Sequence, residues 1–162
     1  MAAPATQESG LEVSDAVGPH ISEIMLGRMQ ALVGKLPSRD FRYGQDHETQ
    51  FLRLYLPEQR TGSACPVLFM VHGGFWKSIW SAENTPTTSL VPDFLQRGFA
   101  VALVEYRRRE MPGGTWPGPE EDVLAALQHL RLLAETEPLD LERIVAIGHS
   151  AGGYLVLAAC SR

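Results

Sequence analysis

Arg143 to Ala159 reads Arg-Ile-Val-Ala-Ile-Gly-His-Ser-Ala-Gly-Gly-Tyr-Leu-Val-Leu-Ala-Ala, and no other stretch limits the fold as tightly. Ile144 to Ile147 is a short unbroken apolar run, the pattern of a parallel strand covered on both faces. Tyr154 to Cys160 is rich in Leu and Ala and free of Gly and Pro, which predicts a buried helix. Between them, Gly148-His149-Ser150-Ala151-Gly152 has the Gly-x-Ser-x-Gly pattern of a sharp strand-to-helix reversal. Such a corner holds its serine in a strained backbone conformation. The residues two before and two after it must be nearly free of side chain so that strand and helix can close together. Ser150 is therefore expected to stand exposed at the C-terminal edge of a sheet, as a nucleophile would. A serine between glycines is also a common turn, and the strand before and helix after are what favour the nucleophile.

A chain of 162 residues, 44% of them hydrophobic, has material for one core and too little for two. Its net charge of −5 argues against nucleic-acid or anionic-membrane partners, because no basic stripe is available to neutralise phosphates. The one dense basic cluster, Arg107-Arg108-Arg109, is flanked by Glu105 and Glu110 and reads as a solvated loop. Cys65 and Cys160 lie far apart without metal-ligand spacing. That suits two thiols in a reducing compartment, with a single disulfide left open. With no apolar run of membrane-spanning length and no secretory start, a cytoplasmic location is expected. No metal or organic cofactor is implied.

In chain order, residues 1–20 mix small, polar and acidic residues without periodicity and are expected to be a disordered leader. Ile21, Ile24, Met25, Met29 and Leu32 recur at helical spacing, with Ser22 as cap and Gly34 as stop, so residues 21–42 read as a helix and linker. Gln50 to Leu56 alternates like a half-exposed strand near a sheet edge. After a polar turn over Glu58 to Ala64, Pro66 to Val71 is a central strand running directly into His72-Gly73-Gly74-Phe75-Trp76. Two glycines after such a strand let backbone N–H groups face an open site, as an oxyanion hole requires, each donor being worth about 3 kcal/mol of barrier. Trp76 and Trp80 either wall a pocket or pack against one.

Thr87 to Arg97 reads as a helix with Leu90, Phe94 and Leu95 inward and Gly98 past its end. Phe99 to Val104 is a third apolar strand. Pro119 opens a helix with Glu120, Glu121 and Asp122 in its first turn, where the helix dipole favours acids, and with Val123, Leu127, Leu130 and Ala134 on one face. Strands and helices in alternation spell an α/β fold with a mostly parallel sheet and right-handed crossovers.

These residues resemble the α/β-hydrolase superfamily, and more narrowly its esterase and arylformamidase (kynurenine formamidase-like) branch. The likeness rests on His72-Gly73-Gly74-Phe75-Trp76 and Gly148-His149-Ser150-Ala151-Gly152-Gly153. Tyr43-Gly44, Trp116-Pro117, Glu121-Asp122-Val123 and Leu139 to Arg143 support it, so that it covers most of residues 43–162. The resemblance implies that Ser150 is the nucleophile, that the N–H groups of Gly74, Phe75 and Ala151 form the oxyanion hole, and that the substrate is a small acyl compound. It further implies that His72 shapes the loop with Gly73, and that Trp76 and His149 line the site. Arg53 departs from the family, whose members often carry Asp there.

A larger departure concerns the triad. In this superfamily the Asp and His follow the Ser along the chain. Here twelve residues follow Ser150, and none is Asp, Glu or His. His20, His47 and His129 fall on leader, loop and helix, away from the expected corner. The expectation is a partial hydrolase fold ending shortly after its nucleophile, very slow by itself, with an exposed sheet edge at Ile144 to Gly148 able to pair with another chain. The alternative is a non-catalytic, partner-binding form.

Overall fold

A computed structural model describes residues 21–58 and 64–161, with the side chains of residues 21–23, 25, 26 and 29 left out. The expected leader, the Met25 and Met29 stripe and most of the Glu58–Ala64 turn therefore lie outside the described residues. The elements are α1 (Ile21–Val33), β1 (Ser38–Arg42), β2 (Phe51–Tyr55), β3 (Cys65–Val71), a 3₁₀ turn (Pro86–Leu90), α2 (Val91–Gln96), β4 (Ala100–Val104), α3 (Gly118–Leu133), β5 (Leu139–Gly148) and α4 (Ala151–Cys160). They form one 5-stranded sheet in the order β1-β2-β4-β3-β5. Among the described residues no helix is long and apolar enough to cross a membrane.

The core follows from the two-residue period of β3. Val67, Phe69 and Val71 face one layer with Ala102, Val104, Val123, Leu130 and Leu155, beneath α3 and α4. Leu68 and Met70 face the other with Val33, Val91, Val101 and Leu103, beneath α1 and α2. Alternate side chains point to opposite faces of a strand, so an unbroken apolar run fills two layers at once. On α3, Val123 and Leu130 are fully buried while Leu127 and Ala134 pack partly against the same layer.

Several expectations are corrected. β3 is parallel to β4 and β5, whereas β2 runs antiparallel to both β1 and β4. The stretch read as linker supplies the edge strand β1, and β2 lies next to it, near the edge as expected. Charged Arg39, Asp40 and Arg42 hid β1 from a hydrophobicity pattern, and an edge strand tolerates such residues. Thr87 to Arg97 is not one helix but a 3₁₀ turn followed by α2, in which Val91 is fully buried and Leu90 is 38% exposed. On α1, Ile24 and Leu32 are exposed and, among the described side chains, Val33 is buried; Ser22 lies inside the helix rather than capping it.

β5 is not covered on both faces. It has β3 on one side and, among the described residues, no strand on the other. Val145, on the face past the reach of α2, is 49% exposed. α4 likewise buries one side through Leu155, Val156 and Ala159 and leaves Tyr154 and Leu157 exposed. Cys65 is buried, Cys160 is exposed, and no disulfide joins them.

The arginine cluster is the clearest correction. Arg108 is buried and paired to buried Glu105. Arg107 forks onto Asp122, with Nε 2.9 Å from Oδ2 and Nη2 2.8 Å from Oδ1. Only Arg109 of the three is exposed. Two strong charge-assisted bonds fasten the loop after β4 to α3 at Asp122, which falls just past the first turn where it was expected.

Candidate active site

Two residues, His149 and Ser150, separate the C-terminal end of β5 from α4, and Ser150 makes the corner at φ 53° and ψ −117°. The glycines on either side are required by contact. A Cβ on Gly148 would lie 2.2 Å from the Gly152 carbonyl oxygen, and one on Gly152 would lie 2.3 Å from that of Val71. Corner and strand end are thus packed backbone to backbone. The His149 N–H donates to the Val71 carbonyl at 3.2 Å, extending the ladder between β3 and β5 up to the corner. Ser150 itself is exposed.

The loop after β3 lies against this corner. A Cβ on Gly73 would stand 3.1 Å from the Ser150 Cβ and 2.9 Å from His149 Nδ1. Gly74, Phe75 and Trp76 follow at φ 120°, 57° and 56°. Left-handed backbone costs the two aromatic residues on the order of 1–2 kcal/mol each. A run of this kind turns consecutive N–H groups toward one concavity. Gly74 also has no room for a side chain, because its Cβ would lie 2.4 Å from that of Trp80. Among the described residues, the N–H groups of Gly74 and Phe75 donate to no backbone carbonyl. Ala151 begins α4, where a first-turn N–H lacks an intrahelical acceptor.

His72 lies beneath the loop, fully buried and stacked on Tyr106 at 4.5 Å between ring centroids. Burial pushes its pKa down to about 4. The neutral ring carries one proton, and with it on Nδ1 the ring donates to the Gly73 carbonyl at 2.7 Å. Nε2 then faces Glu105 Oε1 at 3.2 Å, an oxygen that already accepts from Arg108 Nη1 and from the Tyr106 N–H. His72 and Glu105 are in contact at neutral pH without being an ion pair.

Glu105, Tyr106 and Arg108 were not singled out as site residues in the sequence, yet they hold the floor of the site. Glu105 Oε2 accepts from the Ala82 N–H at 2.9 Å, and its backbone carbonyl accepts from the Tyr43 hydroxyl at 2.6 Å. The Tyr106 hydroxyl donates to the His72 carbonyl at 2.9 Å. A charged residue directly after the apolar run Ala100 to Val104 was the signal available. Arg53, the departure noted above, has its own partners: it forks onto Asp40 at 2.6 and 2.8 Å and reaches Glu83 at 2.5 Å.

The structure brings Gly73, His149 and Ser150 together, with Gly74 and Phe75 next along the loop and Ala151 opening α4. It places His72 under them, and Trp76 to one side, edge-on to Tyr154 at 6.0 Å. The described histidines with ring hydrogen bonds are His47, bonded to Thr49, and His72. Among the described residues, none hydrogen-bonds the Ser150 hydroxyl.

Comparison with known proteins puts this arrangement among esterases. Residues 52–162 match the BD-FAE family. A bacterial heroin esterase superposes with a TM-score of 0.63 at 33% identity over 85% of this chain and 43% of its own. A truncated carbohydrate esterase from gut microbiota gives 0.63 at 28% identity, over 74% of this chain and 41% of its own. A bifunctional GH43-CE protein from Bacteroides eggerthii gives 0.60 at 26% identity, over 73% and 15%. The chain spans less than half the length of each. No curated protein matches the sequence.

Proposed function

The chain belongs to the BD-FAE family of α/β-hydrolase-like esterases, and from that premise we propose that it carries the nucleophile and oxyanion hole of a serine hydrolase acting on carboxylic esters or N-formyl amides. The Ser150 oxygen attacks the substrate carbonyl carbon and its proton passes to a base. The carbonyl oxygen takes the developing negative charge, facing the N–H groups of Gly74, Phe75 and Ala151. The leaving group departs protonated, and water then releases the acid from acyl-Ser150. His72 keeps the loop in shape through Gly73, and Trp76 lines the approach.

One observation carries the reading: Ser150, in its left-handed corner, faces a loop whose backbone donors are unspent. Among the described residues no imidazole bonds the Ser150 hydroxyl, so the base is not assigned to a residue. Without it, turnover is expected to be about 10⁶ below that of a complete enzyme. The test is hydrolysis of p-nitrophenyl acetate by the purified chain beside Ser150→Ala. Slow turnover that vanishes in the variant supports the proposal, and equal rates in both would end it.

A second reading, a partner-binding form without catalysis, is favoured by the open edge of β5 and by Leu157, 73% exposed on α4. Light scattering that finds the chain monomeric at all concentrations, together with Ser150-dependent turnover, would count against it.

A further inference from the structure

Acyl transfer at Ser150 makes no use of Glu120. This residue is 6% exposed and sits in the first turn of α3, beside a cleft of about 490 Å³ that adjoins the loop after β3. The cleft is bounded by Phe75, Trp76, Trp116, Pro119 and Tyr154 as well as Glu120, and the Tyr154 N–H donates to the Ser150 carbonyl at 3.4 Å. Two of these rings are tied to one atom. Trp116 Nε1 donates to Glu120 Oε1 at 3.1 Å, and the Tyr154 hydroxyl donates to the same oxygen at 2.5 Å. Trp116 is 76% exposed, so its indole has little packing to hold it and the tether fixes its orientation. Trp76 meets Tyr154 edge-on, which fixes that ring from the other side.

We propose that Glu120 is a positioning residue, pinning Trp116 and Tyr154 as two walls of the cleft beside Ser150 so that a flat apolar group is admitted in preference to a puckered one. The polar tips of both rings converge on one oxygen, which keeps the floor narrow, and their faces remain for stacking. An indole N–H can only donate, so the tether demands an acceptor at position 120. One amide oxygen meets that demand as a carboxylate does, and a hydrocarbon does not. The meaning of the cleft for catalysis rests on the nucleophile reading; its binding preference does not.

The test uses the full chain with Ser150→Ala, which turns nothing over, titrated with 1-naphthyl acetate and with its saturated counterpart decahydronaphthyl acetate. The Trp116 indole N–H resonance is followed by NMR. The naphthyl ester should bind about tenfold more tightly, the order that two aromatic contacts supply. Adding Glu120→Leu should move the Trp116 resonance to that of an untethered indole and abolish the preference, while Glu120→Gln should keep most of both. Should Glu120→Leu fail to fold, Tyr154→Phe, which removes one hydroxyl, should lower the preference severalfold by itself. A full preference in Glu120→Leu or in Tyr154→Phe, its loss in Glu120→Gln, or a Trp116 signal indifferent to both esters would overturn the proposal. Because Ser150 is absent throughout, a failed hydrolase reading would leave this result standing, and the converse holds too.

Discussion

β4 and β5 flank the same central strand, both parallel to it, and both bring an apolar run to the pairing: Ala-Val-Ala-Leu-Val in one, Ile-Val-Ala-Ile in the other. Every residue of β4 is buried, whereas β5 after its buried first residue Leu139 is a mix of half-buried and exposed positions. Composition does not separate them; their surroundings do. β4 has β2 on its far side and helices over both faces, while β5 has α3 and α4 over one face and no strand beyond it among the described residues. An apolar run thus records that a strand expects cover, and the neighbours decide whether it receives any. The site lies across the C-terminal end of the strand between them, with a buried polar network after β4 on one side and an exposed serine after β5 on the other.

The comparison would be broken most severely at Glu105. Glu105→Ala leaves Arg108 buried without its carboxylate, which is expected to destabilise the fold by about 3–5 kcal/mol in urea unfolding. A loss under about 1 kcal/mol would mean that the network after β4 is no more ordered than the edge. Next comes packing. Leu103→Ala on β4 should cost about 3 kcal/mol, and Val145→Ala on β5 no more than about 0.5 kcal/mol; equal losses would show that β5 is covered in solution.

The His72 effect is of similar or smaller size and has a sign. Its folded pKa is about 4, below the unfolded value near 6.5. Between those values the unfolded chain binds a proton that the folded one refuses, so stability is complete above pH 6.5 and falls toward pH 4, by up to roughly 3 kcal/mol. Melting curves of wild type and His72→Gln across that range should differ in slope, with the variant flatter; parallel curves would contradict a neutral buried ring. The smallest effect is at the edge itself. Val145→Lys should leave stability within about 0.5 kcal/mol while reducing any concentration-dependent association through β5.

The corner at Ser150 and the turn after β3 were legible because both depend on glycines at fixed spacing, and a glycine required by close contact leaves its mark locally. The central strand and the helix opened by Pro119 were legible for the same reason, through period and punctuation. β1 was not, since an edge strand of charged residues has no apolar pattern to read. Nor was the fate of Arg107 and Arg108, because a salt bridge is made by partners distant in sequence: Asp122 takes Arg107 through a loop, and Glu105 turns inward with Arg108. Three adjacent arginines read as solvated charge until the acids that meet them are known. The pairing of Glu120 with Tyr154 was not legible for the same reason, the two being separated by most of α3 and all of β5.

The central claim is that the Ser150 oxygen and the amides of Gly74, Phe75 and Ala151 converge on one reacting centre. Its most direct test is a crystal structure of the chain after prolonged treatment with a fluorophosphonate. The account predicts a phosphonate on Ser150 with its phosphoryl oxygen about 3 Å from those N–H groups. An adduct on another residue, or a Ser150 adduct whose oxygen points to solvent away from the loop, would contradict it.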